Sequence, residues 1–76
     1  QLAELISNAE TSFYNGQLQE AFSLSLSAIK LDENCADAYQ YAANVCMSLS
    51  RYEDAIEYYQ KVQIYIMLIT QIEMNL

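Results

Sequence analysis

The sequence has no histidine, no proline and no tryptophan, and only one glycine and three basic residues among its 76 positions. Each absence removes a kind of chemistry. Without histidine the commonest general base and the commonest metal ligand are missing. The Glu-x-x-His pairs of di-iron bundles cannot be assembled either. The one glycine, Gly16, leaves no material for a phosphate-cradling loop. Three basic residues against ten acidic ones give a net charge of −7. That balance opposes binding to the phosphates of nucleic acid and attraction to an anionic membrane surface.

Cysteine is scarce as well. Cys35 and Cys46 stand eleven residues apart with no second pair, which suggests neither a zinc site nor a disulfide framework. Two buried free thiols are expected, and with them a reducing, cytoplasmic setting. No charged-then-apolar leader opens the sequence, so no signal peptide is expected. Gln1 stands where an initiating Met would, and we expect the 76 residues to belong to a longer chain. The most apolar run, 62–72, is interrupted only by Gln63, Thr70 and Gln71. Eleven residues are too few to span a bilayer as a helix, so membrane insertion is not expected. Glu53 and Glu57 could share a helix face, and they read as solvated surface rather than as an acid–base pair. No enzyme activity and no cofactor are expected.

What the sequence does contain is helical pattern. Apolar residues make up 54% of it, and with so little Gly and no Pro the chain is neither disordered nor rich in loops. Leu2, Leu5, Ile6, Ala9 and Phe13 recur at three and four, predicting an amphipathic helix over 2–15. Asn15-Gly16 ends it, Gly being free to take the left-handed cap. A second helix is expected over 18–31, where Leu18, Ala21, Phe22, Leu24, Ala28, Ile29 and Leu31 are available for burial. Asp32-Glu33-Asn34 forms a turn, and Asn34 is the candidate N-cap for a third helix over 36–49. Ser50-Arg51 turns the chain into a fourth helix from Tyr52, supported by Glu57 and Lys61 four apart.

The pattern repeats. Gly16-Gln17-Leu18-Gln19-Glu20-Ala21-Phe22 lies over Ser50-Arg51-Tyr52-Glu53-Asp54-Ala55-Ile56, thirty-four residues on. The same register sets Ala9 on Ala43 and Leu5 on Tyr39. A fixed period of about that length signals a helix-turn-helix repeat. Helix axes that cross at about 8–10 Å need small residues at the crossing. Ala9, Ala21, Ala43 and Ala55 are placed to supply them, with Leu5, Phe13, Tyr39 and Met47 filling the flanks.

On these residues the chain resembles the tetratricopeptide repeats, in two tandem copies. The match is best in the second, through Tyr39, Ala43, Tyr52, Ala55 and Tyr59. The first departs at Asn8 and Ser25, and the proline that ends the family's second helix is missing from both. The resemblance implies an all-α fold of antiparallel helix-turn-helix units in a right-handed α-solenoid. Repeat 1 would span 1–35 and repeat 2 would span 36–65, with an apolar helical extension over 66–76. It further implies Tyr39, Tyr52 and Tyr59 in the core, and a protein–protein interaction module, scaffold or adaptor, with a concave groove lined by the first helix of each unit. On that face lie Ile6, Glu10, Tyr14, Gln40, Tyr41, Asn44 and Ser48, the expected contacts of a partner peptide or helix. Tyr14 and Tyr41 are the foremost among them, since tyrosine suits half-wet interfaces. No Lys or Arg stands there, so the clamp with which some members hold acidic tails is absent. A basic or apolar partner is favoured over an acidic one.

The second unit has no turn where the first has one, because Ile66-Met67-Leu68 falls on Asp32-Glu33-Asn34. The fourth helix is therefore expected to run past Ile69, the other outcome being a reversal near 65–67 and a folded-back cap. A continuous helix would leave Ile66, Met67, Leu68, Ile69 and Ile72 uncovered. Hence the alternative reading, a structural assembly element that packs or self-associates through this helix, with exchange of helices between chains as one route.

Overall fold

The computed structural model describes residues 1–74, which form four α-helices and no strand. They are α1 Leu2–Tyr14, α2 Leu18–Leu31, α3 Ala36–Ser48 and α4 Tyr52–Met74. The connections are three or four residues long, so consecutive helices run antiparallel. α3 touches both α1 and α2, whereas α4 packs chiefly against α3 and reaches α2 through the Tyr58 ring beside Phe22. The fold is all-α.

The first and third helices stop in the same way. The amide of Gly16 donates to the Phe13 carbonyl at 3.1 Å and that of Gln17 to the Ser12 carbonyl at 2.8 Å. Thirty-four residues on, Ser50 donates to Met47 at 3.1 Å and Arg51 to Cys46 at 2.8 Å. Both are Schellman caps, which need a left-handed residue at the turn. Gly16 supplies it at φ 79°, and Ser50 adopts it at φ 62° in spite of its Cβ.

The second helix stops for a different reason. Asp32 leaves the helical region, and its carboxylate accepts the backbone amide of Asn34 at 3.0 Å. Ile66, the residue in register with Asp32, has no such acceptor, and α4 continues through it for 23 residues in all. The helix is thus extended, not folded back; Asn75 and Leu76, the end of the expected extension, lie outside the described residues. Asn34 does not cap α3. Cys35 occupies that position, without a side-chain cap bond.

The core is built from small side chains. Ala9, Ala21, Ala28, Ala38, Ala42, Ala43 and Ala55 are wholly buried, and the largest side chains fully buried with them are Val45, Cys46 and Ser25. Alanine at a crossing lets the backbones approach and bury their own surface. Ser25 is tolerated because its hydroxyl donates to the Ala21 carbonyl one turn back, at 2.8 Å.

Larger residues sit around this centre, not in it. Tyr39 is buried, but Met47 is 46% and Tyr52 is 56% exposed. Tyr52, expected in the core, and Met47, expected at the flank of the crossing, both lie open because no other helix among the described residues reaches that side. Leu31 is exposed at the end of α2. Tyr59 is half-buried and reaches the Asn44 side chain.

Candidate functional site

α1 and α3 lie in contact, and their shared open face carries the residues singled out from the sequence. The tertiary structure sorts them into two groups. Tyr41 on α3 donates a hydrogen bond across to the Glu10 carboxylate on α1. Tyr14, one turn beyond Glu10, is 76% exposed and has its ring edge-on to Phe13, centroids 5.4 Å apart. Ile6 is half-buried and joins Leu2, Ala3, Ser7, Glu10, Cys35 and Asp37 around an open depression of about 430 Å³. This first group is a shallow site with an apolar floor and an acidic rim.

The other group turns toward α4. The Gln40 amide donates to Asn44 Oδ1 at 3.2 Å, and the Tyr59 hydroxyl donates to the same oxygen at 2.8 Å. Asn44 therefore helps fasten α3 to α4, with Gln40 bonded to it along α3, and Asn44 is not free to bind a partner through that oxygen. Ser48 is exposed at the end of α3. A second depression, lined by Ser50, Arg51, Tyr52, Glu53 and Asp54, lies at the α3–α4 turn, away from the α1/α3 face.

Electrostatics follow this geometry. The Tyr41 phenol is pushed up to about 12, first by its hydrogen bond to Glu10, then by burial and by the negative charge of Glu10 itself. A tyrosine so held keeps its proton at any ordinary pH and is not a general base. Burial raises the Cys46 thiol, and the charge of Asp54 adds to it while Arg51 acts against it. Cys46 is thus an inert core thiol. Cys35, by contrast, is half-exposed beside the depression, where a fully buried thiol was expected.

An aromatic row escaped sequence reasoning. Phe22, Tyr58, Tyr39 and Tyr65 follow one another with ring centroids 6.1–6.3 Å apart. The Lys61 ammonium lies 5.6 Å from the Tyr39 ring centroid, within cation–π range. The hydroxyls of Tyr39 and Tyr65 both reach the Glu33 carbonyl, at 2.8 and 2.9 Å. The row ties α4 to the turn ahead of α3. Its signal lay in the spacing of Tyr58, Lys61, Val62 and Tyr65 at three and four along one helix face.

The residues expected to self-associate lie together past Tyr65. Ile66, Met67, Leu68, Ile69 and Ile72 are each more than half exposed on the far half of α4. Among the described residues no helix is long and apolar enough to cross a membrane. Comparison with models of known families, with curated proteins and with solved structures gave no match. The fold defines the chain as an all-α protein of four helices.

Proposed function

We propose that the chain is a protein–protein interaction module without chemistry of its own, two helical hairpins stacked in the tetratricopeptide manner. In this reading a partner's peptide or helix lies on the α1/α3 face, over the depression beside Ile6 and against Tyr14. One observation carries it. α3 lies against both helices of the first hairpin, which sets the first helix of each unit side by side with an open face. The matching caps at Gly16 and Ser50 support the 34-residue register on which the resemblance rests. Glu10 and Asp37 on the rim favour a basic or apolar partner. Titration calorimetry with two amphipathic peptides of equal length, one lysine-rich and one glutamate-rich, tests it. The basic peptide should bind more tightly at about 0.1 M salt, and Tyr14→Ala should weaken it. Tighter binding of the acidic peptide would refute the reading.

A second reading is favoured by α4. Its far half carries large apolar side chains that no other helix among the described residues covers, and exposed patches of that kind mark interaction surfaces. Here the chain is an assembly element, and α4 is covered by another protein surface. Amide hydrogen exchange over 66–74 checks this: slow exchange at working concentration supports cover, and exchange at the rate of an isolated helix rules it out.

A further inference from the structure

One flank of α4, beside the α3 contact, carries a continuous stripe. Tyr52, Ile56, Tyr59, Gln63, Met67, Thr70 and Met74 follow each other at spacings of three and four from the first residue of the helix to the last described. At 1.5 Å per residue the stripe is about 33 Å long. Six of the seven are exposed, and Tyr59 is half-buried with its hydroxyl on Asn44. None is charged, although the chain as a whole carries −7. Neither the aromatic row nor the buried face of Ala55 and Val62 makes use of it.

The stripe is complementary to itself when reversed. With Gln63 set on its own counterpart, Tyr52 falls on Met74, Ile56 on Thr70 and Tyr59 on Met67. Aromatic meets thioether twice, a favourable contact for a polarizable sulfur. The one amide meets an amide, which can both donate and accept. A two-fold axis requires this kind of self-match, in which residue i meets j and j meets i.

Area and charge select the occupant. The chain exposes 5288 Å², about 550 Å² more than the roughly 4,700 Å² of a compact monomer of its mass. A standard interface takes about 800 Å² from each partner, and the stripe runs the described length of α4, the longest of the four helices. A parallel pairing would set the acidic first turn of α4, with Glu53 and Asp54, against its own copy. The antiparallel one separates these turns. It also brings the packed half of one α4 alongside the projecting half of the other, where its cover is missing.

We propose that α4 is the interface of a two-fold homodimer, paired antiparallel with the α4 of a second copy about an axis at Gln63. The inference rests on the reading of α4 as a covered surface and names what covers it. Light scattering at about 0.1 mM should give twice 8.7 kDa. Ile56→Lys alone and Thr70→Glu alone should each shift the mass to that of the monomer with helicity retained, since both positions are exposed in a single chain. The double variant should restore the dimer, because the antiparallel register sets each new lysine against the second copy's new glutamate. A monomeric parent, a dimer that ignores both single substitutions, or a double variant that stays monomeric overturns the proposal. Slow amide exchange over 66–74 together with any of these results would leave the wider reading of α4 standing, whereas fast exchange would remove it as well.

Discussion

Tyr41 and Glu10 show how much one contact can alter a residue's behaviour. The hydrogen bond, the partial burial and the neighbouring charge all favour the neutral phenol, which is held at about 12 in the folded chain. Unfolded, it titrates near 10. Between those values the unfolded chain binds fewer protons than the folded one, so stability falls as pH rises from about 10 to about 12. Below 10 the contribution is fully present. Tyr39 and Tyr58, raised chiefly by burial, add to the same slope. Chemical denaturation between pH 9 and 12 should therefore show an alkaline loss of stability that is shallower in Tyr41→Phe. The two thiols should also part company: a disulfide reagent should label half-exposed Cys35 in the native protein and reach Cys46 only on unfolding. Ser50 makes a third case. It holds φ 62° where a left-handed residue is required, at a cost of roughly 1–2 kcal/mol for a residue with a Cβ. Ser50→Gly should raise stability, by at most about 1 kcal/mol once the added freedom of the unfolded chain is counted.

At the scale of the elements, the helices are held by alanines, and this makes the crossings sensitive to size. Ala55 is wholly buried where α4 meets α3. Ala55→Leu should cost roughly 1–3 kcal/mol by overpacking. That lowers the melting midpoint by about 4–8 °C per kcal/mol in a domain of this length, and a melt within a degree of the parent would show that the crossing is loose. α4 itself divides at Tyr65. Up to that point it is tied to α3, to Phe22 of α2 and to the Glu33 carbonyl; beyond it, every described residue of the helix is exposed. Isolated helices of about 12–15 residues or fewer are marginal in water, so the far half depends on the near half for its nucleus and on another surface for its packing. Tyr65→Phe removes the tie to the turn, and should speed amide exchange most over the turn after Tyr65.

Across the whole molecule, two surfaces of opposite electrostatic character serve the two readings. The α1/α3 face has an acidic rim and would draw a basic peptide, an attraction that salt screens. The stripe on α4 is uncharged, and two copies that meet there each bring a net charge of −7. Their mutual repulsion is what salt screens. Raising salt from about 0.05 to 0.5 M should weaken peptide binding and strengthen self-association. Measured side by side on one preparation, slopes of the same sign would show that the two surfaces are not distinct in this way.

Local rules carried the helices and their ends. Periodicity at three and four marked each helix, and Gly16 and Ser50 marked two of the stops. The lack of any Gly, Pro or Asn between Tyr52 and Glu73, with Asp54 confined to the first turn, marked the length of α4, because a helix continues unless something offers its backbone another arrangement. The 34-residue register placed four alanines that prove to be wholly buried, since only small side chains allow close crossings. The sequence did not determine which apolar residues are covered. A helical pattern defines a face, but cover depends on whether another helix reaches it. Tyr52 and Met47 have the chemistry of core residues and lie open because no other helix among the described residues reaches that flank. The candidate groove was legible as a face and not as a set of free groups. Tyr41 and Glu10 satisfy one another, and Tyr59 takes Asn44, through contacts 31 and 15 residues apart in the chain. The first is made only when the hairpins stack and the second only when α4 folds back on α3, and no local signal announces either.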